Sequence, residues 1–173
     1  CPNARFYQAS SSEMFGRSVE EDGYQRETTR MEPTSPYGCA KVFGYNIVKH
    51  YRHAHNLFAV NGILFNHESP RRGSNFVTNK VVKAAVKIKL GLQDNLELGN
   101  MDAYRDWGHS KDYVKAMNMI VNHTEPDDLR AEELKYLKGD STKLRNTFGW
   151  MPEYTFETMM KEMTEHWRTI YEK

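Results

Sequence analysis

The sequence lacks the features that are typical of several large classes of protein. It contains two cysteines, Cys1 and Cys39, which are too few for a disulfide framework and suit a reducing cytoplasm. No apolar run approaches the roughly 18 residues that a membrane-spanning helix needs. Basic and acidic residues nearly balance, at 24 and 23, so no strong field attracts nucleic acid or a membrane surface. We therefore expect a cytoplasmic protein without nucleic-acid or membrane partners.

A glycine turn for binding phosphate is also missing. Gly-x-Gly-x-x-Gly occurs nowhere among the 173 residues, although such a turn normally carries the pyrophosphate of a dinucleotide. The hydrophobic content of 39% is a little low for a soluble domain. Both observations suit the C-terminal part of a longer enzyme, and we expect the chain alone to be inactive.

Residues 35–41, Ser-Pro-Tyr-Gly-Cys-Ala-Lys, predict a helix that begins with a reactive pair. Ser35 can cap the helix and Pro36 suits its first position, so Tyr37 and Lys41 lie on one face. An ammonium near a phenol favours the phenolate, which makes the tyrosine a usable general base or acid. Taken alone, this spacing also fits a partly buried tyrosine packed beside a surface lysine.

Alternating strand and helix patterns predict an α/β fold with a parallel sheet. A strand over residues 5–10 precedes the helix, which should run to about residue 55, and a second strand follows over 58–65. Residues 17–33 and 67–75 read as loops. Further helices are predicted over about 75–90, 111–121, 142–148 and from 156 onward, with short strands at 96–98 and 136–137.

Three further motifs accompany the Tyr-x-x-x-Lys helix: residues 11–13 (Ser-Ser-Glu), 66–73 (Asn-His-Glu-Ser-Pro-Arg-Arg-Gly) and 105–109 (Arg-Asp-Trp-Gly-His). In this order the four motifs resemble the GDP-mannose 4,6-dehydratase family of the extended short-chain dehydrogenase/reductase superfamily. The similarity runs from Arg5 to about Asp127 and resumes near Leu134. We expect that a stretch which helps to close the nucleotide pocket in relatives is absent between these points.

The resemblance implies a fold, a substrate and a cofactor. Residues 1–66 would be the C-terminal portion of an NADP-binding Rossmann-like domain with the catalytic residues. Residues 67–173 would hold parts of a smaller α/β substrate-binding domain, incomplete near 127–133. GDP-mannose would be dehydrated to GDP-4-keto-6-deoxy-mannose by internal hydride transfer through NADP, as a step towards GDP-fucose. The complete enzyme would be a homo-oligomer, a dimer or a tetramer.

The resemblance also assigns catalytic roles. Tyr37 would take the proton of the C4 hydroxyl, and Lys41 would assist it and bind the nicotinamide ribose. Ser11, where relatives usually have threonine, would hydrogen-bond the C4 oxygen. Glu13 would take the C5 proton and protonate the departing C6 hydroxyl. If the strand continues this far, Ser11 and Glu13 face one side, whereas a turn or a helix cap is the alternative.

Binding residues follow from the same resemblance. His67 and Arg72 would contact the cofactor, in a loop that reaches a neighbouring subunit in relatives, and Arg71 and Arg72 suit phosphate because a guanidinium binds it through two donors. A solvated basic loop is the alternative. Four residues match positions that hold the GDP part: Asn66, Val77, Lys80 and Arg105.

Other functions stay open at this point. One is another nucleotide-sugar dehydratase or epimerase of the superfamily, although Glu13 argues against an epimerase, which needs no C5 base for elimination. Another is a non-catalytic fragment that serves only in assembly. We expect no metal site, because His50 and His53 share a helix face but His55 does not join them, and neither a cysteine nor a carboxylate completes the set.

Overall fold

Strands and helices alternate along most of the chain. The computed structural model describes residues 3–102, 105–126, 128–130 and 138–172. In these residues the strands are β1 (Phe6–Ser11), β2 (Tyr24–Gln25), β3 (Ala59–Leu64), β4 (Asn66–Glu68), β5 (Trp107–His109), β6 (Asp128–Arg130) and β7 (Lys138–Gly139). The α-helices are α1 (Pro36–His55), α2 (Val77–Lys89), α3 (Ser110–Val121), α4 (Thr142–Phe148) and α5 (Phe156–Tyr171).

A parallel sheet in the order β1-β3-β6 forms the centre of the structure. Phe6 lies opposite Ala59 and Ser11 lies opposite Leu64, so β1 and β3 end together. All six residues of β3 are buried, because a central parallel strand is covered on both faces. The predicted α/β fold with a parallel sheet is therefore confirmed.

The two faces of β3 pack against different helices. On one face Val60 and Leu64 contact Tyr113, Ala116 and Ile120 of α3. On the other face Ile63 packs with Tyr45 of α1 and with the buried pair Met14 and Phe15. The sheet is thus held between α1 and α3, and a third cluster joins α5 to α2 through Met159, Met163 and Val82.

The predicted helix boundaries agree with local capping signals. The Ser35 Oγ accepts a hydrogen bond from the backbone N–H of Gly38 at 3.0 Å, and Pro36 is the first residue of α1. Thr155 caps α5 in a reciprocal arrangement with Thr158. Within the described residues, no helix combines the length and the apolar character that crossing a bilayer requires.

Three sequence predictions are wrong, two of them where a distant partner decides the structure. Residues 96–98 form no strand, residues 24–25 form β2 within the expected loop, and residues 66–68 form β4. β2 pairs with β7 and β4 pairs with β5, partners that lie too far along the chain for a local pattern to reveal. The strand predicted at 136–137 lies outside the described residues, and the domain division after residue 66 stays a prediction.

Gly16→Ala should destabilise the fold more than Gly23→Ala. Gly16 has φ of +58°, and an added Cβ would lie 1.9 Å from the Glu32 carbonyl oxygen. Gly23 has φ of +81°, but an added Cβ would meet nothing within 4 Å. Both substitutions carry the left-handed penalty of about 1–2 kcal/mol, while the clash adds roughly 1–3 kcal/mol at Gly16 alone.

Urea unfolding of both variants, followed by circular dichroism, measures this difference. Equal losses in the free energy of unfolding would show that the turn at Gly16 relaxes and is not fixed against Glu32.

Candidate functional site

A cavity lies where β1 and β3 end beside the N-terminus of α1. It has a volume of about 640 Å³. Ligands of open α/β sheets bind at this edge, outside the carboxyl ends of the strands. The cavity brings together seven of the ten predicted site residues: Ser11, Glu13, Tyr37, Lys41, Asn66, His67 and Arg72.

The chain turns sharply between Ser11 and Glu13. β1 ends at Ser11 and a short 3-10 helix, Ser12–Met14, follows at once. The Ser11 Oγ accepts the backbone N–H of Glu13 at 3.2 Å, which satisfies a donor at the start of that helix. The strand therefore does not extend to Glu13, and the helix-cap alternative describes the backbone. Both side chains nevertheless line the cavity.

Lys41 connects α1 to the end of β1. Its Nζ donates a hydrogen bond to the Ala9 carbonyl oxygen at 2.7 Å. The same Nζ lies 5.4 Å from the centroid of the Tyr37 ring, and Tyr37 is 56% exposed. The strand thus fixes the ammonium beside a phenol that solvent or a ligand can reach.

His67 and Arg72 line the cavity from the other side. The His67 Nδ1 lies 3.0 Å from the Phe65 carbonyl oxygen, and β4 carries its backbone. The Arg72 Nε lies 3.1 Å from Oε2 of Glu68, whose side chain is only 2% exposed. The Arg72 guanidinium also lies over the Phe76 ring, with Cζ 3.5 Å from the centroid. The arginine is therefore held by a buried carboxylate and an aromatic face.

A second cavity of about 550 Å³ adjoins the first. Glu13 and Asn66 line both, and Arg105 lines the second. Val77 and Lys80 are not among the described residues that line these cavities. The Lys80 Nζ instead donates a hydrogen bond to the Glu97 carbonyl oxygen at 2.7 Å. The structure thus gathers eight of the ten predicted residues and leaves Val77 and Lys80 apart.

The second cavity contains polar residues that the sequence analysis did not select. Arg17, Gln25 and Asn100 line it, and two of them lie in the segment read as a surface loop. Gln25 is 1% exposed, and its side-chain amide donates a hydrogen bond to the Ser18 carbonyl oxygen at 2.9 Å. The positive φ of Gly16 turns the chain just before Arg17. Isolated polar residues in three separate segments carry no local signal, so only the fold brings them together.

Charge is distributed unevenly around the first cavity. Lys41, His67 and Arg72 provide donors or positive charge, and Glu13 is the carboxylate on the cavity wall. Behind the wall, burial raises the pKa of Glu68, while the Thr78 hydroxyl, Arg72 and His67 oppose that rise. Within the described residues, no group of three or more His, Cys, Asp or Glu side chains is arranged to hold a metal ion.

Comparison with known proteins identifies the family. The family model described as GDP-mannose 4,6 dehydratase matches residues 1–133. The chain belongs to this family. It is 39% identical to the human GDP-mannose 4,6 dehydratase, over 93% of this chain and 57% of the human protein. It is 56% identical to the Cricetulus griseus protein of that name, over 73% of this chain and 33% of the relative. The chain spans about half the length of the curated relatives it matches.

The alignment with the human GDP-mannose 4,6 dehydratase includes many positions that this chain lacks. It extends over 214 residues, whereas 93% of 173 residues is only about 161. About 50 aligned positions therefore have no counterpart in this chain. The expected loss of an internal stretch near 127–133 stays a prediction.

Solved structures share the fold of this GDP-mannose 4,6 dehydratase family member. RMD from Pseudomonas aeruginosa, complexed with NADPH, matches with a TM-score of 0.89 at 20% identity, over 96% of this chain and 67% of that one. The dTDP-glucose 4,6-dehydratase of Bacillus anthracis, in complex with NAD, matches with a TM-score of 0.82 at 20% identity, over 99% and 63%. At such low identity the likeness establishes the fold alone, and it agrees with the predicted Rossmann-like architecture.

The stability of the chain should depend on pH through Glu68. Because burial raises the pKa of Glu68, the folded state keeps this proton at pH values where the unfolded chain has lost it. The free energy of unfolding should therefore fall as the pH rises from the unfolded pKa of 4.5 through the folded pKa. Glu68→Gln should remove this contribution.

Urea unfolding of wild type and Glu68→Gln at a series of pH values measures the difference between their free energies. Arg72 and His67 act on the Glu68 carboxylate only in the wild type, so the difference between the two proteins measures the net shift of its pKa. A difference that does not change with pH would contradict the raised pKa.

Proposed function

We propose that this chain carries the proton-transfer residues of a GDP-mannose 4,6-dehydratase that acts through NADP. One observation carries the proposal: Ser11, Glu13, Tyr37 and Lys41 line one cavity at the carboxyl ends of β1 and β3. Family membership supports the substrate class, and the cavity holds side chains of the types that dehydration of a hexose needs. We also expect a cytoplasmic homo-oligomer.

The donors on the first cavity fit the nicotinamide end of NADP. A ribose and a phosphate need hydrogen-bond donors and positive charge, which Lys41, His67 and Arg72 supply. Lys41 would hold the ribose, while His67 and Arg72 would hold other parts of the cofactor. When bound, NADP would supply the chemistry of hydride uptake from C4 and hydride return to C6.

Tyr37 would carry out the first proton transfer. Its phenolate oxygen, which the ammonium of Lys41 would stabilise, would take the proton from the C4 hydroxyl of the sugar and become the neutral phenol. The Ser11 hydroxyl would hydrogen-bond the C4 oxygen and share its developing charge. The Ser11 Oγ already accepts the Glu13 N–H, so its own hydrogen is free to be donated to that oxygen.

Glu13 would catalyse the elimination of water. A C4 ketone acidifies the neighbouring C5–H, and the Glu13 carboxylate would take that proton and deliver it to the C6 hydroxyl as it leaves as water. The proton that C5 regains at the end would be the one that Tyr37 took at the start, which balances the reaction and returns Tyr37 to its phenolate form. The position of Glu13 between the two cavities supports this role, because the sugar must lie between its cofactor and its nucleotide.

A chimaera tests the function directly. The 126 residues of this chain that match the Cricetulus griseus relative replace their counterparts in that protein. The chimaera should convert GDP-mannose to a product lighter by one water, as measured by mass spectrometry. Tyr37→Phe in the same chimaera is the inactive control. A chimaera that binds both ligands yet forms no such product would refute the proposal.

In the chimaera, Glu13→Gln should separate oxidation from elimination. The amide is nearly isosteric with the carboxylate but cannot accept the C5 proton, so dehydration should slow by about 10²–10⁴-fold. Reduced nicotinamide should accumulate in a single turnover, together with a 4-keto sugar that keeps its C6 hydroxyl. Tyr37→Phe should produce no reduced nicotinamide.

Stopped-flow absorbance and mass spectrometry of the quenched sugar nucleotide follow these species. Release of the 6-deoxy product by Glu13→Gln at the wild-type rate would mean that another group is the C5 base.

Arg72→Ala and Arg105→Ala should affect different ligands in the chimaera. Arg72 lines the first cavity and Arg105 the second, so the former should weaken NADP and the latter GDP-mannose. Loss of one charged hydrogen bond costs about 1.5–3 kcal/mol. Calorimetric titration of each ligand into each variant measures the change. If both variants weaken both ligands equally, the two cavities are wrongly assigned.

A further inference from the structure

We propose that Glu68 and Phe76 are positioning residues, which fix the guanidinium of Arg72 so that its two terminal nitrogens stay available to a phosphate group at the first cavity. The inference rests on the proposed function, in which that phosphate belongs to the cofactor. It goes further by attributing part of the phosphate affinity to two side chains that act through Arg72.

The Glu68 carboxylate is a fixed anchor. Its Oε2 accepts a hydrogen bond from the Thr78 hydroxyl at 2.5 Å and lies 3.1 Å from the Arg72 Nε. The Glu68 side chain is 2% exposed, so water cannot easily replace the arginine beside it. The Nε is itself buried and makes no aligned hydrogen bond, so the contact is an ion pair. A ligand therefore cannot use the Nε.

Phe76 fixes the plane of the guanidinium. The Arg72 Cζ lies 3.5 Å from the centre of the Phe76 ring, the distance of a flat cation on an aromatic face. The backbone of Arg72 is held as well, because Asn79 donates its side-chain N–H to the Arg72 carbonyl oxygen. Asn79 is in turn fixed by the Trp167 indole at 2.5 Å. Both ends of a long, flexible side chain are thus restrained.

The terminal nitrogens of Arg72 remain unused. Neither donates a hydrogen bond to a described residue, and 21% of the side chain is exposed on a wall of the cavity that also holds Lys41. A guanidinium binds phosphate through two parallel N–H donors. Since its plane is already set, binding loses little side-chain entropy. The arrangement suits a phosphate monoester or diester.

Arg71 provides a natural contrast. It precedes Arg72 directly and is exposed, and in the described residues its side chain makes neither an ion pair nor a ring contact. The two adjacent arginines therefore have the same charge but differ in restraint. Removal of Arg71 tests the net charge of the loop, while removal of Glu68 tests the restraint on Arg72.

The experiment is NMR of the 173-residue chain, with inorganic pyrophosphate and NADP as probes. In the wild type, the Arg72 Nε–H should exchange slowly with water, and pyrophosphate should shift the Arg72 side-chain signals. In Glu68→Gln, exchange should accelerate and the affinity for pyrophosphate should fall by about ten-fold. Phe76→Leu should also accelerate the exchange and weaken pyrophosphate binding, and it does so without altering the buried carboxylate. Arg71→Met should change neither the exchange nor the Arg72 shifts.

A double variant separates positioning from general damage. If Glu68 acts through Arg72, Glu68→Gln should have no further effect on pyrophosphate affinity in an Arg72→Met background. An equal loss in both backgrounds would overturn the proposal, as would slow Arg72 exchange in Glu68→Gln or a wild type that binds neither probe. Because the exchange measurement needs neither turnover nor ligand, its failure is distinct from failure of the chimaera to dehydrate GDP-mannose.

Discussion

The parallel pairing of β1 with β3 is the constraint on which the site depends. Because the two strands end in register, at Ser11 and Leu64, their carboxyl ends open on the same cavity. The hydrogen bond from Lys41 to Ala9 then ties the N-terminus of α1 to that edge. The reactive groups therefore meet through backbone geometry, and a shift of register by one residue would turn every side chain of β1 to the other face.

Buried polar links also join segments that are distant along the chain. The Asp106 carboxylate is 1% exposed and accepts the Gly139 N–H at 3.0 Å, while the Asp112 carboxylate accepts the N–H groups of Glu153 and Tyr154. Each link joins segments more than 30 residues apart. Such bonds add little net free energy, but leaving either partner unsatisfied is costly, so they specify how these distant segments pack together.

The sequence predicts those parts whose signals are local. Ser35, Pro36 and the spacing of Tyr37 and Lys41 define the start of α1, and the apolar run near residue 60 defines β3. The pairing of β4 with β5 could not be predicted, because Asn66, His67 and Glu68 have no strand character and their partners begin at Trp107. The same holds for Arg17 and Gln25, which reach the second cavity only through distant contacts.

The exposure of Tyr37 sets a condition for the proposed chemistry. A phenol that is 56% exposed is open to water, whereas charge developing at C4 is best stabilised in a site that excludes water. Arg72, proposed to bind phosphate, is sheltered already, since it lies on Phe76 and beside the buried Glu68. The proposed proton-transfer groups therefore need cover from something beyond the described residues, either the ligands or additional protein. The relatives, of which this chain spans about half, contain enough additional chain to supply that cover, and for this reason the chimaera is the more decisive background for the catalytic variants.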